Sequence, residues 1–116
     1  MALKVYRQGD VCLVPCDAPE PAKAAKLVAR KSQTVRKGEH GGRHVLTDEK
    51  VATIHDLFGS FGMKESILET FVEAKGDTAL DHTGLRPHKP LAVPAGWYKV
   101  IVQRERMENR TIRVMD

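Results

Sequence analysis

ETFVEAKGDTALDH, residues 69–82, decides the fold class. ETFVEAK (69–75) alternates with the period of two that marks a half-buried strand. Gly76-Asp77 interrupts it with turn residues, and TALDH (78–82) reads as the return strand. Working outward toward the C-terminus, TGLRPHKP (83–90) is a loop with two prolines, and LAV (91–93) leads into Pro94-Ala95-Gly96. WYKVIVQRE (97–105) follows as the strongest strand in the chain, and TIRVM (111–115) is a further strand.

The N-terminal half reads the same way. LKVYR (3–7) and VCLVP (11–15) flank the turn Gln8-Gly9-Asp10, and SQTVRKGE (32–39) and RHVLTD (43–48) flank His40-Gly41-Gly42. KVATIHDLF (50–58) is another strand. Two segments depart from the β pattern. DAPEPAKAA (17–25) opens as a loop at Pro19 and Pro21, and Ala22 to Arg30 predicts a short helix. SFGMKESIL (60–68) predicts a helical turn capped by Ser60. The expected architecture is mainly β: a small barrel or sandwich of short antiparallel strands with at most one or two short helices. Residues 1–116 are read as a single β-rich domain.

Composition narrows the functional classes. The chain is 41% hydrophobic and 29% charged, as a soluble globular protein is, and no apolar run reaches the roughly 20 residues of a membrane span. MALKVYRQGD at the N-terminus lacks the apolar centre of a secretory signal, so a cytoplasmic location is expected. Cys12 and Cys16, four apart on an extended segment, lie about 13 Å apart and are expected to be free thiols in a reducing compartment. The net charge of +4 is mild and its cations are scattered without interleaved aromatics, so nucleic acid is not an expected partner. No GxSxG elbow, activated cysteine, GxGxxG or phosphate loop is present, and whether the protein is an enzyme stays open.

The histidines carry the remaining signal. If Gly41-Gly42 were a two-residue hairpin turn, Glu39 would face His44 on one side of the sheet and His40 would lie on the other. Asp81 and His82 end one strand, and His88 precedes the next after a loop stiffened by prolines. Glu39, His44, His82 and His88 together make the ligand inventory of one divalent transition metal: zinc, iron, manganese or nickel. His40 and His55 are read as ordinary polar histidines.

YRQGDVCLVPCD, KGEHGGRHVLTD and HKPLAVPAGWYKVIVQRE resemble a family of small uncharacterised bacterial and phage-associated proteins. Its members carry QGDV, a GE…GH…H stretch, a histidine before an L-P-x-G-x-Y segment, and a QRE-containing strand. On that resemblance Gln8, Gly9 and Asp10 match the opening turn, Gly38 and Glu39 the GE, and His44 one of the histidines. His88, Pro90, Pro94, Gly96 and Tyr98 match the later block, and Gln103, Arg104 and Glu105 the last strand. Arg43-His44 replaces the family's usual histidine pair, and the His82–His88 loop is longer than usual. A weaker similarity links Pro94-Ala95-Gly96 to the turn of cupin-like small β-barrels. The expectation is a β-barrel-like protein holding a divalent metal through a His/Glu cluster. The alternative is a non-enzymatic accessory or interaction protein of a phage or mobile element. Strand edges make a homo-oligomer the expected assembly in either case.

Overall fold

A computed structural model of the protein describes residues 4–20, 25–37, 42–61, 64–84 and 89–102, with the side chains of 60 and 61 excepted. These residues form strands β1 (Tyr6–Gln8), β2 (Val11–Cys16), β3 (Ala25–Ala29), β4 (Thr34–Lys37), β5 (Arg43–Leu46), β6 (Ala52–Phe61), β7 (Lys64–Ala74), β8 (Thr78–Thr83), β9 (Leu91–Val93) and β10 (Gly96–Val102). One sheet runs β1-β2-β10-β7-β6-β3, the other β4-β5-β8-β9, and every pairing is antiparallel. Both sheets are open, so the fold is a small sandwich rather than a closed barrel.

The opening hairpin of the sequence reading divides between the sheets. β7 ends at Ala74, and β8 pairs with β5 and β9 instead of returning along β7. Gly76-Asp77 is therefore a corner at which the chain changes layers. Asp77 secures it by accepting a hydrogen bond from the Ala95 N–H at 3.3 Å.

Register places the core between the sheets. In the larger sheet Pro15, Tyr98, Val72 and Ile54 lie in one cross-strand row, and Leu13 lies opposite Val100. Leu46, Leu80 and Leu91 form the corresponding row of the smaller sheet. Val11, Leu13, Ile54, Val72, Leu46 and Leu80 are almost wholly buried, and the hydrophobic contribution of each is roughly 1.5–3 kcal/mol. Alternation puts Trp97 and Phe71 on the opposite face of the larger sheet. Trp97 is half-buried there, outside the core between the sheets. Pro15 is tolerated inside β2 because β1 pairs only with Val11 to Leu13, which leaves that side of Pro15 at an edge.

Both predicted helical segments are strands. Ala25 to Ala29 pairs with the outer half of β6, where Leu27 faces Leu57 and Ala29 faces His55, so tertiary pairing overrides the helix propensity of the Ala/Lys stretch. Within residues 60–68, those described lie on the paired strands β6 and β7, with Ser60 opposite Glu65 and Phe61 opposite Lys64. Gly59 suits a strand here because the Leu68 side chain lies over it, and a Cβ would come within 2.6 Å of Leu68 Cδ1. The expected TIRVM strand lies outside the described residues.

A polar clamp joins the layers beside β3. Arg30 donates from Nε to Asp56 Oδ2 (2.9 Å) and from Nη2 to Oδ1 (2.5 Å), while Nη1 donates to the Thr34 carbonyl at 2.7 Å. Thr70 Oγ1 also donates to Asp56. Burial, the largest influence, works to raise the Asp56 carboxyl. The hydrogen bonds from Arg30 and Thr70, with the charges of Arg30 and His55, outweigh it and hold the group below the usual carboxylate range.

Candidate functional site

The inner face of the smaller sheet is apolar at one end and polar at the other. Two residues along from Leu46 and Leu80, the same face carries His44 opposite His82, with Arg36 opposite His44 on the other side. A bulge between Thr34 and Arg36 produces this arrangement: Val35 enters the core, and Arg36 joins the histidine row. The tight turn between β1 and β2 reaches this row from the other sheet. Gln8 pairs with Val11, so Gly9 and Asp10 are the two turn residues, and Gly9 has the positive φ of 61° required at its first position.

His44 is 2% exposed, and its Nδ1 lies 2.8 Å from Gln8 Oε1. The Gln8 amide donates to the Leu80 carbonyl at 2.7 Å and to the Lys89 carbonyl at 2.9 Å. Both amide hydrogens are thereby committed, and Oε1 faces His44 only as an acceptor. Nδ1 of His44 therefore carries a proton, and Nε2 points toward Asp10. That nitrogen lies 3.5 Å from Asp10 Oδ1, and Asp10 Oδ2 accepts from Arg36 Nε at 3.4 Å. The His44 and His82 rings stack with centroids 4.2 Å apart and planes 3° from parallel.

Two glycines make room for this pairing. A Cβ at Gly42 would come within 2.5 Å of the Thr83 carbonyl oxygen and 3.3 Å of His82 Nε2. Gly84, at φ 133°, brings its own Cβ position within 2.9 Å of Gly42 Cα. The second glycine of HGGR is thus needed for close approach of β5 and β8 beside the imidazoles.

The structure brings together His44 and His82 of the four predicted ligands. Glu39 and His88 lie outside the described residues. The two-residue hairpin that set Glu39 against His44 is corrected by the register. Lys37 faces Arg43 and Arg36 faces His44, so Arg36 holds the place given to Glu39. His55 lies on the far face of the larger sheet, 3.0 Å from Glu73. Among the described residues, no group of three or more His, Cys, Asp or Glu side chains is gathered as a metal cage. Gln8, Asp10 and Arg36 are the site members that the sequence reading missed. Gln8 and Asp10 had been read only as turn residues, and their polar pairing across Gly9 was the available signal.

Neither cysteine joins the site. Cys12 and Cys16 share no disulfide and lie along one strand, opposite Ile101 and Trp97. Burial, followed by the Asp17 charge, pushes the Cys16 thiol up, away from the nucleophilic thiolate. No helix among the described residues is long and apolar enough to cross a membrane.

These features define a small open β-sandwich with an oriented imidazole pair and an acid–base cluster at one end of its core. The chain belongs to the family described as Domain of unknown function (DUF8820), whose model matches residues 7–103. No curated protein and no solved structure gives a significant match to it.

Proposed function

We propose that the protein binds one divalent transition metal, zinc by preference, between His44 Nε2 and Asp10 at the polar end of the sandwich. One observation carries this reading: Nε2 of an imidazole whose Nδ1 is held from behind by Gln8 faces a carboxylate oxygen at 3.5 Å. A metal ion between the two would bind both, as a second ring proton would bridge them. The separation is long for a charge-assisted N–H···O bond, which runs at about 2.7–2.9 Å. It suits two ligands of one tetrahedral ion, which stand about 3.4 Å apart when each is about 2.1 Å from the metal. Right-angled neighbours in an octahedral site stand about 3.0 Å apart, which favours zinc over manganese or iron.

Gln8 supports the reading as the outer partner that orients a metal-bound histidine. His82, stacked on His44, is the nearest candidate for a third ligand. Glu39 and His88 are the sequence's candidates for the remaining position. The test is elemental analysis of the full chain, purified without an affinity tag and incubated with zinc. About one equivalent is expected for the native protein, falling below about a tenth in H44A and D10A. A native protein that also stays below about a tenth overturns the reading.

A second reading, self-association, is favoured by a different observation. β3 ends its sheet among the described residues, and the arm it forms with β6 and β7 leaves Val28, Ile67 and Leu68 between 41% and 51% exposed. The occupant we infer is a second copy. An antiparallel β3–β3 pairing is two-fold symmetric, sets Leu27 against its own copy and Lys26 against Val28, and opposes no like charges within the strand. Sedimentation should show a dimer that V28K converts to monomer, and a native monomer at high concentration would end this reading.

A further inference from the structure

We infer that two copies of the chain also pack face to face through the outer face of the larger sheet, with their strands crossing at about 90°. This contact uses a face and not an edge, so it is separate from the β3 pairing, and it involves none of the residues of the metal reading. Among the described residues every strand belongs to one of the two sheets, and the smaller sheet covers only the inner face of the larger one. The outer face is nonetheless rich in apolar groups. Trp97 and Leu57 are half-buried there, and Ile101 is 40% exposed. A sheet with apolar groups on both faces is normally covered on both, and a tryptophan among aliphatic side chains is a typical interface anchor.

Charge selects both the occupant and its orientation. Register sets Phe71 between His55 on β6 and Lys99 on β10, with Glu69 and Glu73 two residues to either side along β7. Two basic side chains thus lie across the strand direction and two acids lie along it. Each acid has a local partner: His55 Nε2 is 3.0 Å from Glu73 Oε1, and Lys99 Nζ is 3.0 Å from Glu69 Oε1. The face is therefore balanced within a chain of net charge +4, and a second copy meets little repulsion on it. Aligned packing of two such faces sets base over base and acid over acid. A two-fold axis at about 45° to the strands exchanges the two directions and gives the crossed packing. Lys99 then lies over Glu69 of the second copy, and His55 over Glu73. The same rotation sets Trp97 over Leu57 of the second copy and Ile101 over its own counterpart, so apolar groups meet apolar groups.

A patch of this size makes a weak contact, with association expected at about 0.1 mM and above. The experiment is sedimentation equilibrium of the full chain carrying V28K, which blocks the β3 pairing so that the two interfaces are read separately. K99E, E69K and I101K are each added to that background, and melting temperature is measured on every variant. V28K should be monomeric when dilute and dimeric toward about 1 mM. K99E, E69K and I101K should each weaken that dimer at least tenfold, by opposing like charges or by setting a charge on an apolar group. An equimolar mixture of the K99E and E69K proteins should recover the dimer, because each reversed charge then faces its opposite, a rescue that impaired folding cannot produce. V28K that stays monomeric at about 1 mM overturns this inference and leaves the β3 reading standing. K99E that associates as tightly as its parent, as aligned packing predicts, overturns the crossed arrangement, and so does a mixture that shows no recovery.

Discussion

Gln8 on the larger sheet accepts a hydrogen bond from His44 on the smaller one, Oε1 to Nδ1 at 2.8 Å, while its amide donates to two carbonyls of the smaller sheet's side. One buried side chain thus satisfies three polar groups and orients an imidazole. Q8A leaves the Leu80 and Lys89 carbonyls and the His44 N–H without this partner. The expected destabilisation is about 2–3 kcal/mol by urea unfolding, since each stranded buried group costs about 1 kcal/mol or more. Competition titration should show zinc affinity falling by about 10–100-fold. Unchanged stability would mean that the Gln8 contacts contribute nothing.

The Arg30–Asp56 clamp predicts acid sensitivity. The Asp56 carboxyl lies below its unfolded value, so its contribution is complete above that value, near pH 4. The contribution is lost as pH falls through the lower folded value. D56N should flatten the dependence of melting temperature on pH below about pH 4. R30A should be the more damaging change, at about 3 kcal/mol, because it leaves a nearly buried carboxylate without its bidentate partner. If native and D56N proteins have parallel acid melting profiles, the clamp does not set acid stability.

Gly42 should resist substitution. The atom facing a new Cβ is the Thr83 carbonyl oxygen at 2.5 Å, which is backbone in the adjacent strand. G42A must separate β5 from β8, at about 1–3 kcal/mol. The separation should also appear in NMR as loss of the ring-current shifts that stacked His44 and His82 impose on each other. Retention of those shifts would show that the strands tolerate the extra carbon.

Core and outer-face substitutions should separate clearly. I54A removes a fully buried side chain between the sheets and should cost about 3–4 kcal/mol. W97A, on the half-buried outer face, should cost less than I54A despite the larger side chain removed. Denaturant melts of both variants give the comparison directly, and the reverse ranking would place the main core on the other side of the larger sheet.

How much was legible in the sequence depends on how local each signal is. Alternation in ETFVEAK and WYKVIV marked strands because side-chain period is a property of the segment itself. Ala25–Ala29 was misread because its strand identity comes from β6, about thirty residues away, and its own composition favours a helix. His44 and His82 were singled out on residue chemistry, and they stack. Gln8 and Asp10 were not, because they come from a turn of the other sheet, and Arg36 was not, because the bulge in β4 shifts its register. A two-residue turn assumed at Gly41-Gly42 gives the wrong neighbour for His44.

The pairing of β10 with both β2 and β7 also governs how the chain reaches this structure. Val102 lies opposite Val11, so the larger sheet is interrupted until residues some ninety positions apart in sequence meet. During synthesis β6 and β7 can pair early, but β2 must wait for β10 to leave the ribosome before it finds its neighbour. Refolding from denaturant should accordingly take milliseconds to seconds, as in other sandwiches dominated by distant contacts.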